Sequence, residues 1–172
     1  MHVDAHFDQT SVRLLVHALK SEANGKDLRR DLLRGLRAAA QPAAVAVKAA
    51  IMTMPSQGAH AGDEDSRSLR ASIAAGIKVH VKLAGKAKHV GVAIAAHSKG
   101  MPRRFRRAPK YLNRRRPWRH PVFGNRENWV SQVSGKPGWF DDTLKAYRPE
   151  FVRAAGEALD NVAQRISRKT RG

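Results

Sequence analysis

Between Asp65 and Glu127 the chain carries no acidic residue, and the 61 positions between them hold 17 lysines and arginines. Like charges this dense cannot neutralise one another locally. A fold built around them must leave them in water, bring carboxylates from elsewhere in the chain, or meet a polyanion. The other 111 residues are nearly balanced, with 16 basic and 14 acidic side chains, so the net charge of +19 is concentrated in one stretch. It begins with Lys78, Lys82, Lys86 and Lys88 and peaks over residues 99–119, where ten of 21 residues are basic. Residues 97–119 therefore read as a long basic loop, solvated and mobile until a partner orders it. Its candidate contacts are Arg103, Arg104, Arg106, Arg107, Lys110, Arg114, Arg115 and Arg116. They can neutralise phosphates and release counterions, or face an acidic protein surface. Phe105, Tyr111 and Trp118 interleave with them, either to stack on bases or to anchor the loop to its own domain.

The flanking sequence alternates between two periods. Thr10 or Ser11 caps a short predicted helix ending near Asn24 and Gly25. From Lys26 to Met54, Leu28, Leu32, Leu36, Ala39, Ala43, Val47, Ala50, Ile51 and Met54 repeat every three or four residues and predict a long helix kinked at Pro42. Pro55, Gly58 and Gly62 mark a loop, and residues 66–75 a shorter helix with Leu69 and Ile73 inward, stopped by Gly76. The period then falls to two. Ile77, Val79, Val81 and Leu83 alternate with Lys78, His80 and Lys82, a turn is predicted at 85–88, and Val90, Val92 and Ile94 form the inward row of a second strand. Residues 118–123 suggest a further strand, which Pro117 and Pro121 confine to a sheet edge. A final helix follows, with Phe140, Leu144, Tyr147, Phe151, Ala155, Ala158, Leu159, Val162 and Ile166 on one face, Asp141 and Asp142 in its first turn and a kink or restart at Pro149. The expected fold is α+β: long N- and C-terminal helices packed on one face of a small antiparallel sheet, with the long basic loop, in a single domain over 1–172. Within it, residues 1–76 form the helical part, 77–96 the hairpin, 97–119 the basic loop, 120–139 a Pro/Gly/aromatic segment and 140–172 the last helix.

The sequence offers no catalytic constellation. Cysteine is absent, which removes disulfides, thiolate metal sites and thiol nucleophiles. Phosphate-loop, dinucleotide and serine-elbow motifs are missing. His80 and His89 can face each other across the hairpin, but no carboxylate lies near them in sequence to orient a metal ligand. The expectation is a protein that is not an enzyme and takes no metal or cofactor. No apolar run approaches the roughly 18 residues of a membrane span, and Asp4 and Asp8 stand where an export signal would place basic residues, so a soluble, unexported chain is expected.

Residues 119–140 escape this grammar. The run Arg119-His120-Pro121-Val122-Phe123-Gly124 is followed by Trp129-Val130-Ser131-Gln132 and then by Pro137-Gly138-Trp139-Phe140. Prolines, three glycines and four large aromatics in 22 residues specify fixed bends with aromatic anchors. Those anchors can cap the core of one subunit or meet a neighbouring subunit. The three elements resemble the signature of the tail-component family of long-tailed bacteriophages, whose members are called neck, tail-completion or head-to-tail connector proteins. In that family R-H-P-V-F-G precedes W-V-x-Q and then P-G-W-F ahead of a C-terminal helix.

The resemblance implies a structural virion protein, a neck or tail-completion or tail-terminator component assembled in the bacterial host cytoplasm, that forms a homo-oligomeric ring, six-fold, at the head–tail junction. Such a ring would join the capsid connector or stopper to the tail tube and leave a passage for genomic DNA. It also implies that the motif residues lie at subunit interfaces. The arginine-dense loop is not part of the family pattern. A second reading, carried by that loop alone, is a sequence-independent nucleic-acid-binding protein.

Overall fold

The computed structural model describes residues 3–4, 25–55, 64–83, 91–99, 101, 103–122 and 125–170 of the 172. In chain order the elements are strand β1 (Val3–Asp4), helix α1 (Gly25–Met52), helix α2 (Glu64–Gly76), strands β2 (Ile77–Lys82) and β3 (Gly91–Ala96), a 3-10 turn (Arg103–Phe105), helix α3 (Ala108–Leu112), strands β4 (Trp118–Val122) and β5 (Asn125–Gln132), and helix α4 (Trp139–Thr170). The fold is α+β, as the change of period predicts. The predicted helix over 10–24, the turn at 85–88 and His89 lie outside the described residues.

Both long helices follow their apolar stripes. On α1, Leu28, Leu32, Leu36, Ala43, Val47, Ala50 and Ile51 are buried, and Asp27 sits in the first turn, where a negative charge meets the helix dipole. The helix runs through Pro42 without a break. It gives way at Thr53, whose N–H still donates to the Ala49 carbonyl at 2.9 Å, and Pro55 follows. On α4, Phe140, Leu144, Phe151, Ala155 and Val162 are buried, and Pro149 lies inside one continuous helix, so the restart is not taken.

The chain divides into two compact units whose boundaries fall inside both long helices. One contains residues 2–45, 79–95 and 146–172. Its sheet has the order β1-β3-β2, with β1 antiparallel to β3 in the register Val3↔Ile94 and Asp4↔Ala93. Val92 and Ile94 are buried, while His80 and Lys82 are exposed, so one face of the strands is wet as their alternation requires. Ala95 is buried as well, which breaks the expected alternation at the end of β3. β1 has no counterpart in the sequence reading, because a two-residue strand has no period. The helices of this unit meet at Gly35, where a Cβ would stand 2.9 Å from the Cβ of Ala158. One turn away, Arg165 donates to Asp31 at 2.5 Å and holds that carboxyl below the ordinary aspartate range, chiefly through the hydrogen bond.

The other unit contains residues 46–78 and 96–145. In it α2 ends at Gly76, whose carbonyl accepts the N–H of His97 at 2.9 Å. A Cβ on Gly76 would overlap the His97 carbonyl oxygen, so only glycine closes this junction. The interior is built from Val47, Ile51, Met54, Ile73, Ile77, Met101, Trp139 and Phe140. Strands β4 and β5 form a separate two-stranded antiparallel ribbon, from Trp118↔Gln132 to Pro121↔Trp129, with an irregularity between Pro121 and Val122.

Candidate functional site

The basic stretch is not the bare loop its charge predicts. Residues 103–105 form a 3-10 turn and residues 108–112 a short helix, with Met101 and Pro109 buried as apolar footholds. Pro109 lies in the first turn of α3, where its fixed φ favours helix and its missing N–H costs nothing. At the other end Asn113 closes α3, its N–H donating to the Pro109 carbonyl at 3.2 Å. Apolar footholds outweigh the mutual repulsion of the cations because the cations themselves remain in water: Arg103, Arg106, Arg107, Lys110, Arg114, Arg115 and Arg116 are all exposed. The side chain of Arg104 lies outside the described residues.

Asn113 ties this segment to the start of α4. Its Oδ1 accepts the backbone N–H of Phe140 at 2.9 Å and of Asp141 at 3.4 Å, and its Nδ2 donates to the Asp141 carboxylate at 2.7 Å. It is an N-cap supplied from 27 residues away. The Asn113 carbonyl accepts the N–H of Gly138 at 3.0 Å, and Arg115 pairs with Asp142. Gly138 has φ +74°, a backbone conformation that favours glycine, and a Cβ there would stand 2.6 Å from the Asp142 carboxylate and 2.9 Å from the Arg115 guanidinium carbon, so any side chain would also push this exposed pair aside. The structure thus brings two carboxylates from α4 to a stretch that has none of its own.

Two of the three aromatics interleaved with the arginines, Tyr111 and Trp118, are engaged within the segment. Tyr111 and Trp118 pack with ring centroids 5.9 Å apart at 32°, and the guanidinium of Arg114 lies 4.9 Å from the Tyr111 ring centroid. Beside this cluster lies a cleft of about 830 Å³ whose walls include Arg106, Lys110, Arg114, Arg115 and Arg116, together with Ser98, Pro117 and Asp141. Five of the eight basic residues singled out in the sequence therefore face one cleft. Arg103 and Arg107 do not line it.

The motif residues of 119–140 part into two groups. Trp139 and Phe140 are fully buried in T-shaped contact, 5.5 Å between centroids, and Pro137 and Gly138 form the bend that delivers them. Among the described residues the Trp139 indole N–H has no acceptor, so the ring is held by its packing. These are core anchors. The others belong to the ribbon. There the expected bent anchor segment over 120–139 is instead largely strand, since 125–132 extends and pairs with β4. Every residue of β5 is exposed, with Trp129 at 43% and Val130 at 39%, and Gln132 shares that exposure. Trp129 is held in place by an indole hydrogen bond to the Arg126 carbonyl at 2.5 Å, with the Arg119 guanidinium 5.9 Å from the centroid of its ring. His120 and Val122 take their places in the β4 ladder opposite Val130 and Asn125, and Pro121 stands opposite Trp129. The side chains of His120 and Val122, and all of Phe123 and Gly124, lie outside the described residues.

Nothing in the sequence marks Asn113 as a cap, since it stands 27 residues before the N–H it accepts. Asp141 and Asp142 were legible only as charges suited to a helix N-terminus. Among the described residues no group of three or more His, Asp or Glu stands close enough to hold a metal, and no helix is long and apolar enough to cross a membrane. No protein-family model, curated protein or solved structure matches the chain.

Proposed function

We propose that this chain is a structural virion protein of a long-tailed phage, a ring subunit at the head–tail junction that joins the capsid connector to the tail tube around a DNA passage. The observation that carries the proposal is the β4–β5 ribbon. A two-stranded ribbon is marginal by itself in water, yet this one exposes Trp129, Val130 and, just beyond it, Val133 at 47%. Placing large apolar side chains on such an arm is consistent with burial against a second copy of the chain, where an aromatic anchor contributes most. The ribbon is also where Arg119, Pro121, Trp129, Val130 and Gln132 of the phage-like motif fall, while Trp139 and Phe140 fix its far end in the core. The division suits an assembly protein: one part of the motif stiffens the subunit and the other faces the neighbour.

The test is the mass in solution by light scattering on a size-exclusion column, in 0.1 and 0.5 M NaCl, with negative-stain imaging of any large fraction. A discrete ring that survives high salt, and that the double variant Trp129→Ser/Val130→Ser converts to monomer with an unchanged far-ultraviolet circular dichroism spectrum, is the expected result. A wild type that stays monomeric at every concentration, with the variant indistinguishable from it, overturns self-assembly through the ribbon.

A further inference from the structure

We infer that the cleft beside α3 is a docking site for the phosphodiester backbone of double-stranded DNA, read without regard to sequence. The inference stands apart from the assembly reading, since the cleft belongs to one subunit whatever the ribbon does.

The first ground is charge. Five cations line the cleft, and its one lining carboxylate, Asp141, is engaged by the Asn113 amide. Among the described residues the one ion pair made by a cleft cation is that of Arg115 with Asp142. Arg106, Lys110, Arg114 and Arg116 are exposed beside the opening and pair with no carboxylate among the described residues. Phosphates arriving there release counterions from DNA, which is the largest sequence-independent contribution to binding.

The second ground is what the cleft lacks. Protein partners are held by desolvated apolar or aromatic anchors at the centre of the contact. Here two of the three large aromatics of the segment are turned on each other, Tyr111 against Trp118 and beneath Arg114, and none of the three lines the cleft. The same packing withdraws those rings from stacking on unpaired bases, the contact that single-strand binders depend on. Nor can α3, five residues long, reach base edges in a major groove as a recognition helix does. Guanidinium groups on a short, braced scaffold match a rigid row of phosphates better than a flexible acidic tail. Bracing comes from the Asn113 cap and the Arg115–Asp142 pair, which hold the cations in place before any DNA arrives.

The experiment is fluorescence anisotropy of the full chain with labelled 24-base-pair duplexes of two unrelated sequences, titrated from 50 to 200 mM NaCl. Competitors are the corresponding single strand and polyglutamate. The expected result is equal affinity for the two duplexes and weak competition by either competitor. In the variant Arg106→Gln/Lys110→Gln/Arg114→Gln/Arg116→Gln, the slope of log K against log salt falls by roughly 3 to 4, at about 0.9 for each phosphate that is no longer neutralised. The control variant Lys26→Gln/Arg29→Gln/Arg37→Gln/Arg148→Gln removes four exposed helix charges outside the cleft and changes the slope less than half as much. Circular dichroism checks that both variants keep the wild-type fold. Three results overturn the inference: equal slope losses in the two variants, stronger binding of the single strand, or displacement of the duplex by polyglutamate at matched charge, which would point to an acidic protein partner.

Discussion

Asn113 engages the start of α4 with both ends of its amide: the oxygen takes two backbone N–H groups and the nitrogen a carboxylate. A buried polar group so used is costly to remove, because its partners are left in a low-dielectric setting without water. Asn113→Ala is expected to destabilise the protein by about 1–2 kcal/mol, the range for loss of an N-cap, measured as a lower urea midpoint at constant m. Asn113→Asp keeps the acceptor but sets a second carboxylate against Asp141, so it should recover only part of the loss. None of this was legible in the sequence, where a cap is sought immediately before the helix and not 27 positions earlier. Trp139 and Phe140, by contrast, were legible as anchors because fixed bends and large rings leave few alternatives to burial, although which rings would be buried was not. Asp31 gives a pH-dependent counterpart. Arg165 lowers its pKa in the folded state relative to the unfolded chain, so its contribution is fully present above about pH 4, the unfolded value, and is lost as pH falls through the lower folded value. The melting temperature of Asp31→Asn should therefore differ from wild type at pH 6 and converge with it as pH falls through the lower folded value. A constant difference across that range would mean that the charge of Asp31 is not what matters.

At the scale of elements, the helices were legible because their apolar stripes extend over many turns and periodicity accumulates with length. Short elements were not: α3 depends on two buried footholds in a run of cations, and β5 alternates nothing because both of its faces are exposed. Each long helix also holds a proline in its interior. Pro42 is exposed, and Ala40, Ala43 and Ala44 around it are buried, so the packing face does not depend on the proline ring. An interior proline removes a backbone hydrogen bond and crowds the preceding turn, at about 3 kcal/mol relative to alanine. Part of that is returned because proline also restricts the unfolded chain, by about 1 kcal/mol at most. Pro42→Ala is therefore expected to stabilise the protein by about 1–2 kcal/mol, read from the urea midpoint. A lower midpoint would show that proline at position 42 is itself needed to hold the apolar stripe of α1 on the core.

Over the whole molecule the governing quantity is a net charge of +19, and the fold offsets it only locally. The ion pairs near the long helices, Arg30 with Asp27, Arg34 with Asp31 and Arg153 with Glu157, are surface pairs of neighbouring residues, worth a few tenths of a kcal/mol each. The acid-free stretch gains two carboxylates, Asp141 and Asp142, against its many cations. Self-repulsion on this scale opposes the compact state, and added salt screens it, the Debye length falling from about 30 Å at 0.01 M to about 10 Å at 0.1 M. The melting temperature is thus expected to rise with NaCl over that interval and then level off as screening saturates. In the variant lacking the charges of Arg106, Lys110, Arg114 and Arg116 the rise should be smaller, because part of the repulsion is already gone. A short DNA duplex at low salt should raise the wild-type melting temperature by mass action and the variant's much less. If instead the wild-type melting temperature falls as salt is added, attraction between unlike charges outweighs repulsion in the folded chain. The acid-free stretch would then owe its charge to the fold and not to a polyanion outside it.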